Sequence, residues 1–404
     1  MNTRDFIQQY REGDVRQLAL QGARFPEVDM PFALDQIAGW QTARKKLPTW
    51  AATEGITYPP HLSMEQCSSE QTARYKAQLA KRLLSAVTQG GERQTPTRLL
   101  DLTGGFGVDF SWMSRMFNDA VYVEQQSLLC SVARQNFQLL GLEHVEVVCD
   151  DAEHYLSETE RVDMIFLDPA RRDTHGTRTY AIADCTPDVV AIRELLVQKA
   201  RWVVVKLSPM LDWHKAVEDL VAVCEVHIIA TGNECKELLL VLKGEPSEKE
   251  EQQNLTVYCV NDDQSFSFVP SCHVSRCDIA TDIPGGYYLY EPNASVMKAG
   301  CYDTLADRYK LKALSMNSHL FISSRLLEDF PGRRFRVIAV SSMNKQAVKE
   351  LLKNVGRANI AVRNFPLTVA ELRKRLKLAD GGDRYLFGTT SDDGKHLLIL
   401  TEKV

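Results

Sequence analysis

The chain has 404 residues, 44% hydrophobic and 25% charged, with 22 glycines and 15 prolines, which excludes disordered and fibrous classes and leaves room for two or three domains. Its apolar runs, such as residues 238–242, are far below the roughly 18 residues of a membrane span, and the ten cysteines are scattered with no C-x-x-C pair, so we expect a cytoplasmic protein with reduced thiols and no membrane partner. The net charge of −5 is uneven: residues 331–404 hold fifteen Lys and Arg against seven Asp and Glu, a net +8, leaving −13 for residues 1–330. A basic module on an acidic body suits a part that meets phosphates.

Residues 1–95 read as a helical region. Tyr75, Leu79, Leu83 and Leu84 recur at helical spacing over 69–87 behind Ser68 or Ser69 as caps, while Pro26, Pro31, Pro48, Pro59 and Pro60 divide the rest into short pieces. Gly90-Gly91 closes the region. Over 96–244, apolar runs alternate with helical patterns, as in a parallel sheet with crossover helices. Strands are predicted at 98–102, 120–124, 145–149, 163–167, 202–207, 224–230 and 237–243, with helices at 126–140 and 187–200: one doubly wound, Rossmann-like seven-stranded α/β domain.

Residues 244–254 contain no apolar side chain and read as a solvated linker, where we place a domain boundary. A linker and small α+β region at 245–330 follows, with strands at 255–260 and 265–269 and a helix at 302–312. Residues 331–404 then alternate as strand 334–340, helix 345–355, strand 358–363, helix 369–378, strand 384–388, a turn at 391–394 and strand 396–401, a compact α+β unit.

The chemistry concentrates at Leu99-Leu-Asp101-Leu-Thr103-Gly104-Gly105-Phe-Gly107, a strand ending in an acid that opens through glycines into a helix. Glycine lets backbone N–H groups approach a ligand closely. The dinucleotide fingerprint fails because its third glycine position is Phe110, and no Gly-Lys-Ser/Thr follows to make a phosphate-binding P-loop. Three further strand ends agree with a ligand edge. Glu124, 17 residues after Gly107, can take both ribose hydroxyls; Asp150 or Asp151 can accept from an adenine amino group; and Asp168-Pro169-Ala170-Arg171-Arg172 makes an acid-proline corner.

On these residues the stretch 97–243 resembles the class I S-adenosylmethionine-dependent methyltransferases. The resemblance implies S-adenosylmethionine as cofactor, held by Asp101, Thr103, Gly104, Gly105, Gly107, Glu124, Asp151 and Ala152. Thr103 departs from the glycine that many members carry. The order of helical region, core, Asp-Pro-Ala-Arg-Arg corner and basic α+β unit resembles the bacterial methyltransferases with a THUMP-like domain, which implies an RNA substrate, tRNA or rRNA. The segment from Gln66 to Lys76 is similar to the one preceding the core in that group and could lid the cofactor.

An exocyclic base amine is a poor nucleophile, so catalysis is mainly positioning, and Asp168 with the Pro169 carbonyl can accept its two N–H bonds. Lys206, expected at the edge beside Asp168, can hold base or phosphate. Arg171, Arg172 and the run Arg373, Lys374 and Arg375 are candidate RNA contacts, though such runs are more often solvated helix faces. Asp168 as a helix cap and Asp101 as a structural turn residue are the plain alternatives. Cys272, His273 and Cys277 lack the further ligands a structural zinc site needs, so no metal is expected. The expectation is an RNA base-nitrogen methyltransferase; the alternatives are a small-molecule methyltransferase and a non-catalytic RNA-binding protein with the same fold.

Overall fold

The computed structural model describes residues 1–85, 96–171, 182–244, 255–270 and 275–404. It divides into two compact units, one formed by Met1–Cys224 and Leu239–Gln253, the other by Glu225–Leu238 and Asn254–Val404. Arg172, Cys272, His273, Gly90, Gly91 and the linker residues 245–254 lie outside the described residues.

Unit 1 opens with helices α1 (Thr3–Tyr10), α2 (Val15–Leu20), α3 (Met30–Lys46), α4 (Pro48–Ala52), α5 (His61–Gln66) and α6 (Glu70–Ser85). Asn2, Asp14 and Asp29 cap the first three through side-chain oxygens, satisfying backbone N–H groups that a helix start leaves over. Pro31 does not interrupt a helix as expected: it sits in the first turn of α3, where its missing N–H costs nothing. Phe6, Leu18, Val28, Ala33 and Ile37 form the core of this region.

The chain then alternates through β1 (Arg98–Asp101), α7 (Val108–Met113), β2 (Asp119–Glu124), α8 (Ser127–Leu139), β3 (Val145–Cys149), α9 (Ala152–Glu158) and β4 (Val162–Leu167). A two-residue ladder, β5 (Ala170–Arg171) with β6 (Cys185–Thr186), precedes α10 (Val189–Lys199), β7 (Ala200–Leu207), α11 (Trp213–Leu220), β8 (Val223–Thr231) and β9 (Glu234–Lys243). The sheet runs β7-β4-β1-β2-β3 with these four pairings parallel. All six residues of β4 are buried, as expected for a strand covered on both faces. From β1 the chain builds outward to β2 and β3 on one side, then returns to β4 and β7 on the other. The resulting crevice between the carboxyl ends of β1 and β4 is the switch point where open α/β sheets bind ligands.

In unit 2, β8 pairs in parallel with β10 (Thr256–Asn261), which pairs antiparallel with β11 (Gln264–Phe268). The rest is β12 (Tyr288–Pro292), α12 (Ala294–Ala299), α13 (Tyr302–Tyr309), β13 (Lys312–Ala313), β14 (Phe321–Ser323), β15 (Gly332–Ser342), α14 (Lys345–Leu351), β16 (Asn359–Arg363), α15 (Val369–Leu376), β17 (Arg384–Thr390) and β18 (His396–Lys403). Seven of these strands form one sheet in the order β13-β14-β12-β15-β18-β17-β16. Residues 331–404 therefore share a sheet with the segment before them, with Tyr288 of β12 opposite Arg336 of β15. The unit boundary runs through β8 and β9 as well as the linker, because β8 finds a parallel partner in β10. Among the described residues no helix is long and apolar enough to cross a membrane.

Candidate active site

Asp101, the last residue of β1, is almost fully buried and accepts the Thr103 N–H at 3.0 Å. Burial drives its carboxyl pKa well above the usual range, and the charges of Asp109, Asp168 and Glu124 push the same way. The glycine turn that follows is shaped by two close approaches. A Cβ on Gly104 would lie 2.1 Å from the Tyr122 ring, and one on Gly107, at φ +81°, would lie 2.6 Å from that of Phe137. Gly105 differs. A Cβ there would find only the Thr103 carbonyl, at 3.8 Å, so this face of the turn borders open space.

Glu124 at the end of β2 closes over the turn, accepting the Gly105 N–H at 2.9 Å and the Gln126 N–H at 2.8 Å. At the end of β3 the two acids divide their work. Asp150 uses both oxygens, one on the Asp151 N–H and one facing His154 Nδ1, each at 2.8 Å. Asp151 caps α9, which begins at Ala152, with Oδ1 alone, on the N–H groups of Glu153 at 2.9 Å and His154 at 3.1 Å. Its Oδ2 makes no hydrogen bond among the described residues, so Asp151, unlike Asp150, keeps one oxygen wholly unused.

The fourth and fifth strands bring Asp168 and Lys206 together, with Nζ donating to Oδ2 at 2.5 Å. Thr103 joins this corner to the glycine turn by accepting the Asp168 backbone N–H at 2.6 Å through Oγ1, a hydrogen bond that glycine at this position cannot make. Asp168 keeps about two-fifths of its side chain exposed, and Oδ1 has no hydrogen bond among the described residues. Pro169 is buried behind it, and the backbone of Arg171 lies in the β5 ladder.

Sequence reasoning missed the support beneath. Lys206 Nζ also lies 3.6 Å from Asp109 Oδ2, Lys76 Nζ lies 3.1 Å from Asp109 Oδ1, and Ser68 donates to Asp109 Oδ2 at 2.7 Å. Burial alone would raise the Asp109 pKa; Lys76 and then Lys206 outweigh it and hold the carboxyl below the usual range. The result is a chain of alternating charge, Lys76, Asp109, Lys206 and Asp168. Ser68 and Lys76 flank the start of α6 and lie on it, within the segment expected to act as a lid; these two side chains brace the corner from beneath.

Arg373, Lys374 and Arg375 lie on α15 in unit 2. The Arg373 guanidinium is engaged internally, with the carbonyls of Ala358 and Ala379 at 3.0 Å and with Asp380 at 2.6 Å, whereas Lys374 and Arg375 are exposed. Among the described residues no group of three or more His, Cys, Asp or Glu is placed to hold a metal.

Comparison with known proteins agrees with this geometry. Residues 79–205 match the family model described as Conserved hypothetical protein 95, residues 288–331 a ferredoxin-like domain and residues 332–403 a THUMP domain-like model. The crystal structure of a "putative methyltransferase" from Porphyromonas gingivalis W83 superposes with a TM-score of 0.84 at 32% identity, covering 100% of this chain and 99% of that one. The Protein-L-isoaspartate O-methyltransferase of Thermotoga maritima is 34% identical over 73 residues, 17% of this chain and only 23% of that enzyme's length. An O-methyltransferase from Bacillus cereus, crystallised with SAH, aligns with 50% of this chain and 90% of its own at 13% identity and a TM-score of 0.33.

The fold and the glycine turn with its acids define an S-adenosylmethionine-dependent methyltransferase. The chain belongs to the family of these enzymes that carries a THUMP-like domain and includes the Porphyromonas gingivalis protein.

The residues fit the cofactor. Gly105 leaves the turn open on one side, Glu124 stands over it with a nearly buried carboxylate, and Asp151 keeps one oxygen unused at the next strand end.

Proposed function

We propose that this enzyme methylates a base nitrogen in RNA, tRNA or rRNA, and that Asp168 and Lys206 form its catalytic corner. The observation that carries the reading is the 2.5 Å pair itself, at the switch-point crevice, with Asp168 Oδ1 open beside it. In this reading Asp101, Thr103, Gly104, Gly105, Gly107, Glu124, Asp151 and Ala152 hold the cofactor, which supplies an electrophilic methyl group.

Asp168 Oδ1 and the Pro169 carbonyl accept the two N–H bonds of the target amine and turn its lone pair toward that methyl. The nitrogen would take the methyl as the cofactor's sulfur–methyl bond breaks with its electron pair left on sulfur, and Asp168 is placed to take the proton that the resulting cationic amine loses. Lys206 fixes one of the Asp168 oxygens, so the other has a single orientation. Asp109, anchored by Ser68 and Lys76, holds Lys206 in turn. RNA as the acceptor is supported by the net +8 of residues 331–404 against −13 elsewhere and by the match of residues 332–403 to a THUMP domain-like model. Arg171 and Arg172 are proposed to contact the substrate, as are Lys374 and Arg375 of α15. Mass spectrometry of nucleosides from RNA of cells with and without the gene tests the reading: one methylated base should disappear. Unchanged nucleosides together with no transfer of labelled methyl to that RNA in vitro would refute it.

A further inference from the structure

Unit 2 contains a second charged feature, of a different kind. A cleft of about 370 Å³ opens between α14 and the end of α15, lined by Lys345, Lys349 and Lys353 on one side and Arg375 and Lys377 on the other, over Val348, Leu352 and Leu376. All five cations are exposed and the three apolar residues half-buried. No acid lines the cleft, and none of the five makes an ion pair among the described residues. Lys345 and Lys349 are four residues apart on α14, roughly 6 Å along its axis, so the lysines form a row rather than a point.

We infer that this cleft binds the phosphodiester backbone of RNA. The inference rests on the RNA reading above and gives it a location. Five like charges facing one cavity repel one another, a cost that a polyanion relieves. Four of the five are lysines, which hold phosphate as point charges without the bidentate geometry that selects a single planar partner. The floor is aliphatic. With no aromatic ring in the lining, the cleft offers no platform for base stacking, and its recognition is of the backbone and independent of sequence. The cleft therefore binds many RNAs alike and leaves choice of base to the catalytic corner.

The test uses the full chain, a fluorescein-labelled 20-nucleotide oligouridylate and unfractionated tRNA, with anisotropy read across a salt series. Each single-strand phosphate contact contributes about −0.7 to the slope of log K against log salt, so Lys349→Gln with Lys353→Gln should lower the steepness by about 1.4 and weaken binding on the order of tenfold at 0.15 M salt. A control pair outside the cleft, Lys395→Gln with Lys403→Gln, should change neither as much. Because the cleft side chains are exposed, these variants keep the fold, which an unchanged melting temperature verifies. If the wild-type chain binds both RNAs and the cleft variant matches it in affinity and slope, the cleft assignment falls while the RNA reading stands. If the wild type binds neither RNA, both fall. Displacement of the oligonucleotide by polyglutamate as readily as by unlabelled RNA would also overturn the inference, since phosphate would then have no preference over carboxylate.

Discussion

The two units use charge in opposite ways. At the proposed catalytic corner of unit 1 every member of the Lys76, Asp109, Lys206 and Asp168 chain has an opposite charge within 3.6 Å, and Lys76 has no exposed side-chain surface. In the cleft of unit 2, five cations face solvent without an acid among the lining residues. Paired and buried charges fix geometry, because each ion removed leaves its partner desolvated and uncompensated. Unpaired exposed charges fix nothing and remain available to a ligand. The same residue types therefore serve precision in one place and capture in the other, and the difference predicts how each responds to substitution.

The largest effect should come from the buried chain. Lys76→Met removes the nearer of the two cations on buried Asp109, leaving Lys206 and Ser68, and should cost about 3 kcal/mol of stability, measured by urea unfolding, whereas neutralising a cleft lysine should cost about 0.5 kcal/mol or less. The pH dependence follows in sign. The Asp109 pKa is depressed in the folded protein, so its contribution is present above the ordinary carboxylate range and is lost as pH falls through the lowered value. Lys76→Met makes that pKa less depressed, so the variant, less stable at neutral pH, should lose less further stability than the wild type as pH falls through the carboxylate range. An unchanged acid limb would mean that the pairing is incidental.

Asp168→Ala comes next. It removes the proposed acceptor but leaves Lys206 with Asp109, so the fold should hold while turnover falls on the order of 10²-fold with nearly unchanged cofactor affinity. Loss of folding would make Asp168 a structural partner; persistence of turnover would shift the role to Lys206 or Arg171. Truncation before Pro331 is no test of the C-terminal unit, because β15 and β18 stand in the middle of the seven-stranded sheet.

These sites were unequally legible in the sequence. Asp101, Glu124, Asp151 and Asp168 stood out as candidates because each closes or follows an apolar run, and the glycines because they cluster directly after the first of these. Thr103 was read as a cofactor contact and as a departure from glycine; its hydrogen bond to the Asp168 backbone depends on a contact 65 residues away in the chain. Lys76 was unreadable as a brace since a lysine among polar helix residues looks solvated. β12 escaped because its Glu291 breaks the apolar pattern, and only Arg333 and Arg363, which lie 2.6 and 2.7 Å from that carboxylate, explain its burial.

Gly105→Leu sharpens the comparison within unit 1. Its Cβ meets open space, so the protein should fold with a penalty of about 1–2 kcal/mol from the φ of +55°, while the larger side chain blocks the cradle. Calorimetry should find cofactor affinity reduced at least tenfold, and unchanged affinity in a folded variant would overturn the cofactor assignment. The smallest effect concerns Asp101. Its raised pKa keeps a fraction protonated, and a cationic cofactor favours the ionised form, so affinity should rise several-fold with pH through that pKa and then level off. Asp101→Asn should flatten the profile.

The interleaving of the two units has a consequence for biosynthesis. The chain leaves unit 1 after Cys224 and re-enters it at Leu239, having laid down part of unit 2 between. A growing polypeptide therefore cannot finish its catalytic sheet until the ribosome has made β9, and β8, made before it, still waits for β10, which follows the linker. Messages cut short anywhere in that interval yield an open-edged sheet, and exposed strand edges invite aggregation. Continuous synthesis through this interval is thus a condition for closing both sheets.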